Sequence, residues 1–422
     1  MHVTIRARLL RILVLPLAVL FALFGAAAAQ QFSAYRDVAG TSANARLCLT
    51  LQALVHALQK ERGPTIGYLG GVRQLRAVLP ARRRATDLAR ARLEEALRGR
   101  DDALAAAVRA SLGRLDALAA IRRRADDGTG SVKVTFGRFT AAITALDRLE
   151  LGLDDAHDAR LRAAYQAFRA LGSAKEFTAE EHAIVLGSVA AGRFPADDYI
   201  RFLQLRAGRL AALESFPRSA TAAQRRRLDE ALGTPDAARA LGYESAAVRG
   251  GGRLGPRAVP AVSWWTSMTS TVNGLRAVQI SLGRDVQDRA AGLEGAARRD
   301  LLLFALFAFG TVTALGHLAL DCVRSVSTPL DVLTEQMREV AGTRLPRTLA
   351  AVQHGTPGRT PPPAPLAVPD RAAPEVLEVA EAFDRVQRVA YDLAVEQAVL
   401  RRDAAESPVG IGPRDSGFGG AA

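Results

Sequence analysis

Two short stretches of this chain hold the residue types that do chemistry. Leu58-Gln59-Lys60-Glu61-Arg62-Gly63 places two cations, a carboxylate and an amide within two helical turns, and Glu180-Glu181-His182-Ala183 follows about 120 residues later. An arginine held inside a helix bundle needs a partner, because an unpaired buried charge is very costly. A small anion is one such partner, and a helix-surface or interhelical salt bridge of Glu61 and Arg62 is the alternative reading. Other motifs carry less. Gly250–Pro256 contains a formal GxGxxG, but no strand precedes it and a proline follows at once, so it reads as a loop. Asp415-Ser416-Gly417-Phe418-Gly419 imitates an ATP-site DxGxG inside a Gly/Pro/Ser tail. The six histidines include none on an inner helix beside an acidic residue, as a phospho-accepting histidine requires. Cys48 and Cys322 have no ligand-spaced partners, so neither a metal nor a disulfide framework is expected. No catalytic residue, metal or cofactor is therefore assigned.

Helices must position the two stretches. Leu47, Leu51, Leu54 and Leu58 recur at four, three and four residues, an apolar stripe on one helix face. Gly63-Pro64 interrupts that pattern, Ile66 and Leu69 resume it, and Gly70-Gly71 marks a loop. Further stripes follow at Leu104–Leu115, Phe136–Leu146, Tyr165–Leu171, Ile184–Val189 and Tyr199–Leu205. Strand alternation is not evident. The expected fold is all-α, an antiparallel helical bundle long enough for two stacked four-helix bundles. The net charge of +13 suggests nucleic acid at first sight. The arginines are dispersed, as at Arg82-Arg83-Arg84 and Arg225-Arg226-Arg227, without the aromatics that stack on bases, so they read as solvated faces and no nucleic-acid partner is expected.

Two uncharged apolar segments, 12–29 and 301–320, are each close to the ~20 residues of a spanning helix. Ala26–Ala29 resembles a cleavage site, but retention as an anchor is the favoured reading. Arg6, Arg8 and Arg11 place the N-terminus in the cytoplasm, residues 30–300 outside and 321–422 inside. One long helix is expected from Ser263 to Leu320, with Trp264 and Trp265 in the core. Inside, Leu330, Leu333, Met337 and Val340 form one seam, and Val379, Phe383, Val386, Ala390 and Leu393 another at heptad spacing. A Pro-rich insert, 355–374, separates them. Short coiled coils are marginal alone, so a parallel homodimer is expected. Residues 403–422 read as a disordered tail.

The outer region resembles the nitrate- and nitrite-sensing (NIT) domain of bacterial receptors. The likeness rests on Leu58-Gln-Lys-Glu-Arg-Gly63 with Tyr68-Leu69, Lys175-Glu176, Glu181-His182-Ala183, Ala190-Ala191-Gly192-Arg193-Phe194 and Phe216. It implies a helical extracytoplasmic bundle that senses a small oxyanion, nitrate or nitrite, with Arg62, Glu61, His182 and Glu181 around the ligand. The second motif normally carries an arginine where this chain has His182, which implies weaker, pH-dependent binding. Residues 321–402 resemble a HAMP signalling linker, with Pro329-Leu330, Glu375-Val376-Leu377 and Ala382-Phe383 in place and Pro374 where an acidic residue is usual. Ala382–Arg402 looks like the stretch upstream of the kinase core in actinobacterial NIT sensor histidine kinases. The expectation is a two-pass membrane receptor that relays an anion signal to a separate kinase or response partner, without enzymatic activity of its own. The alternative is a truncated sensor kinase of a two-component system.

Overall fold

The computed structural model describes residues 5–354, 361–370 and 372–406. Its described residues contain helices and no strand, as the apolar periodicities require. The tail motif at Asp415–Gly419 and the side chain of Cys322 lie outside the described residues. The chain divides into two compact units, Ala29–Leu302 and Met1–Ala28 with Leu303–Ala422.

In chain order the helices are α1 (Ile5–Leu69), α2 (Leu79–Ala96), α3 (Ala103–Gly113), α4 (Leu118–Asp126), α5 (Val132–Asp147), α6 (Ala159–Ser188), α7 (Ala196–Ser215), α8 (Ala222–Leu232), α9 (Pro235–Arg249), α10 (Ala261–Cys322), α11 (Thr328–Glu339), α12 (Leu345–His354) and α13 (Pro374–Glu406). Their starts are written locally. Asp102 accepts from Ala105 N and Asp158 from Leu161 N, each at 2.8 Å. Thr221 and Gln224 form a reciprocal capping box on α8.

Within Ala29–Leu302 the core has three apolar parts. Leu51, Leu54 and Leu58 of α1 pack with Val108, Phe139 and Ile143 of α3 and α5. Ala45 and Cys48 join Leu161, Phe168, Leu228 and Leu282. Ile66, Leu186, Phe202, Ala247 and Trp264 make the third. Helices α1, α6 and α10 thus serve more than one cluster. Cys48 and Trp264 are core residues, as expected from sequence.

The sequence pointed to a break at Gly63-Pro64, but α1 runs through it to Leu69. Residues 61–68 are all buried, so packing on every side outweighs the proline's lost N–H. Thr65 Oγ1 donates to Glu61 O at 2.7 Å in the same turn. The helix ends where Gly71 takes φ 105°.

In the other unit, Leu333, Val376 and Ala380 form a small core, with Leu366 and Val368 of the Pro-rich connector against it. α12 was not singled out in the sequence; its Pro346 stands in the first helical turn, where proline is well tolerated. Phe24 meets Phe304 and Phe307 edge to face at 6.2 Å. α1 and α10 carry stretches long and apolar enough to cross a membrane, with large exposed side chains such as Leu15, Phe21, Phe307 and Phe309.

Candidate functional site

Arg62 stands on the buried face of α1 and is fully enclosed. Its Nη1 donates to Thr140 Oγ1 at 2.9 Å and to Glu176 Oε1 at 2.8 Å, and Nη2 donates to Glu176 Oε2 at 3.3 Å. The result is a forked guanidinium–carboxylate pair joining α1 to α6. Gln59, one turn earlier, donates to the same Glu176 oxygen. The Phe136 ring centroid lies 5.5 Å from the guanidinium carbon. Arg62 therefore has a salt bridge, but with Glu176 rather than its neighbour Glu61. Glu61 faces the other way and is gripped by Arg122 through two bonds of 2.7 and 2.8 Å.

The acidic residues of the second motif are also taken. Glu180 pairs with Arg201 at 3.1 Å. Glu181 accepts from Arg209 Nε at 3.1 Å, and Glu244 shares that guanidinium. Burial pushes the Glu181 carboxyl up to about 8 against the pull of Arg209, and the like charge of Glu244 adds to the rise. Burial, and then the nearby charge of Arg62, push His182 down to about 3. His182 is thus neutral throughout the physiological range, so it does not supply the pH dependence that the sequence suggested. Its carbonyl accepts from Trp264 Nε1 at 3.2 Å, and a Cβ added at Gly63 would lie 3.7 Å from its Nδ1.

Both motifs meet at a cavity of about 330 Å³, counting its open mouth. Gln59, Lys60, Gly63 and Pro64 of α1, Arg82 of α2, Ala179 and His182 of α6, and Trp265, Thr269 and Val272 of α10 line it. The lining holds two half-buried cations and no carboxylate. Lys60 Nζ donates to Asn273 Oδ1 at 3.0 Å, and burial followed by the charge of Arg82 lowers its pKa. Beside the cavity Arg62 Nε and His182 Nε2 are buried without a hydrogen-bond partner, as is the acceptor Gln59 Oε1, and of these the Arg62 N–H is the donor an anion can use. A second cavity, about 500 Å³, has Asp147 in its wall, with a carboxyl that burial raises to about 6. That carboxyl makes it the poorer host for an anion.

Residues 53–287 match the family described as nitrate and nitrite sensing. The chain belongs to this NIT family. The fold is similar to that of a solved structure, the NasR transcription antiterminator, at 20% identity and a TM-score of 0.56 over 91% of this chain and 99% of that one. No curated protein matches the chain.

The NIT core holds further cations: Lys175, which the sequence named only as part of the family likeness, and Arg276, which it did not single out. Lys175, fully enclosed on α6, donates to Gln279 Oε1 at 2.7 Å, and Arg276 Nη1 donates to the same oxygen at 3.0 Å. Gln279 Nε2 in turn reaches Gln52 Oε1 at 3.0 Å. Burial brings Lys175 down to about 7, and the charge of Arg276 adds to the shift. In a chain with 56 lysines and arginines, single basic residues inside amphipathic helices give no signal of their own. Arg82 was hidden in the same way, inside a run taken for a solvated face.

Proposed function

We propose that this NIT protein is a membrane-anchored sensor of nitrate or nitrite. The ligand enters by the cavity between α1, α2, α6 and α10 and is held at Arg62 and His182. The observation that carries this reading is the cavity lining: both motifs converge on it, and it offers two cations with no competing carboxylate. Lys60 and Arg82 raise the local concentration of a monovalent anion, and the planar guanidinium of Arg62 matches paired oxygens. Glu61 and Glu181 hold the neighbouring Arg122 and Arg209 in place.

The membrane relay has physical support in the same lining. α1 and α10 both wall the cavity, and both carry an apolar segment of spanning length. A ligand that binds two arrangements of these helices unequally shifts the balance between them. The domain scheme follows: segments 12–29 and 301–320 in the membrane, 30–300 outside as the sensor, and 321–402 inside as a HAMP-like linker with 403–422 as its tail. α13 exposes Val379, Val386, Leu393 and Leu400 at seven-residue steps, an apolar strip suited to a second copy of the chain. The homodimer passes its state to a separate signalling partner.

Thermal unfolding of the detergent-solubilised chain tests the sensor reading. Nitrate or nitrite at a hundred times its Kd is expected to add about 2.7 kcal/mol of stability. The double substitution Lys60→Ala with Arg82→Ala is expected to demand higher anion concentrations for the same shift. The absence of any shift with either anion up to millimolar levels contradicts the proposal.

A further inference from the structure

We infer that Glu176 is a built-in competitor for the sensed anion: its carboxylate takes on Arg62 the seat that the oxyanion occupies, and binding requires it to let go. The inference rests on the reading of Arg62 and the adjoining cavity as the anion site.

A carboxylate, nitrite, and any two oxygens of nitrate present the same thing to a guanidinium, two acceptors in one plane about a single central atom. Glu176 meets Nη1 and Nη2 of Arg62 in that way, at 2.8 and 3.3 Å. Arg62 is fully enclosed and does not line the cavity, although Gln59 and Gly63 on either side of it and His182 opposite do. Of the guanidinium only Nε is unpaired and it is enclosed, so the Nη1 and Nη2 pair is open to an anion only when the Glu176 carboxylate departs. Gln59 joins the two regions. Its side chain lines the cavity, its amide nitrogen holds Glu176, and its amide oxygen is buried without a partner. Glu176 retains a little solvent exposure while Arg62 has none, so the carboxylate has a way out.

Release also has a direction. The preceding residue, Lys175, is tied to Gln279 of α10, and Glu176 is tied to Arg62 of α1. When the anion replaces Glu176, α6 loses this charged tie to α1 and keeps the Lys175 tie to α10. Ligand binding thereby changes the ties of α6 to α1 and to α10 unequally, while Gln52–Gln279 and Lys60–Asn273 still join α1 to α10.

The test is nitrate titration of the full detergent-solubilised chain carrying Glu176→Gln or Glu176→Ala. Glutamine keeps a neutral acceptor in the seat and alanine vacates it. Competition for the seat predicts that alanine binds nitrate most tightly, glutamine next and the native chain least. If Glu176 is released at rest in about one molecule in ten, the gain for alanine is about tenfold. Equal gains for both variants mean simple charge repulsion and overturn the inference, as does no gain. Should Glu176→Ala melt early, formate, nitrite and nitrate are expected to raise its Tm well beyond equal chloride, and failure of that rescue overturns the inference too. If nitrate binds neither the native chain nor any variant, it is the sensor reading that fails. If native binding depends on Arg62 but the variants do not tighten it, only the competitor role falls.

Discussion

At the scale of single residues, the sequence singled out the residues on which the proposed site is built but not their pairings. Arg62 and His182 stood out from their motifs; His182 lines the cavity and Arg62 is enclosed behind Gln59 and Gly63, which also line it. The partner of Arg62, Glu176, is 114 positions away, and that choice depends on how α1 and α6 are rotated against each other. Glu61 looked equally eligible in the sequence and turned out to face Arg122. Arg62→Lys tests what the fork contributes: charge is kept, paired donors are lost, and nitrate affinity is expected to fall at least about tenfold by titration. An unchanged affinity shows that Arg62 acts only as a point charge.

Glu181 carries a pH prediction of its own. Its carboxyl is raised from 4.5 in the unfolded chain to about 8 in the folded one. Between those values the native protein keeps a proton that the unfolded chain has released. The contribution to stability is therefore complete below about pH 4.5 and is lost as pH rises through about 8. Glu181, Glu244 and Arg209 titrate as one cluster, so the transition is broad. Glu181→Gln mimics the protonated form and is expected to melt a few degrees above the native chain at pH 8.5, with little difference at pH 4.5. A lower Tm for the variant at pH 8.5 indicates that the ionised carboxylate is the stabilising form.

At the scale of elements, helix positions were legible and helix ends less so. The leucine stripe of α1 was plain, but a glycine-proline pair reads as a stop unless one knows that everything around it is buried. The crossing of α1 and α6 was not visible in any local pattern. Gly70 lies so close to α6 that a Cβ there would stand 2.4 Å from the carbonyl oxygen of Gly187 and 2.7 Å from its Cα. Backbone cannot yield as a side-chain tip does. Gly70→Ala is expected to cost about 1–3 kcal/mol, as other forced overpacking does, read as a drop in Tm. Gly63→Ala, whose Cβ meets only the His182 ring at ordinary contact distance, is expected to leave Tm nearly unchanged. Equal losses at the two positions contradict this account of the crossing.

At the scale of the whole molecule, composition made the all-α class and the apolar segments legible, because charge-free runs and helical periods are properties of sequence alone. The division of the sensing core into three clusters was not, since α1, α6 and α10 each contribute to more than one. The proposed topology needs a reporter other than the native thiol of Cys48, which is buried and whose pKa burial pushes up to about 12. Thr129, exposed in the turn between α4 and α5, serves instead. A cysteine introduced there by Thr129→Cys is expected to react with a membrane-impermeant maleimide in intact cells. Labelling only after lysis places the sensing unit inside.

The central claim is that a small oxyanion is bound through Arg62 beside the cavity that both motifs line. Calorimetric titration of nitrate and of nitrite into the detergent-solubilised chain measures it most directly. The account predicts saturable heat from at least one of the two anions, and none above dilution when Arg62→Ala is titrated under the same conditions. Heat that persists undiminished in Arg62→Ala, or no saturable heat from either anion up to millimolar concentration, contradicts it.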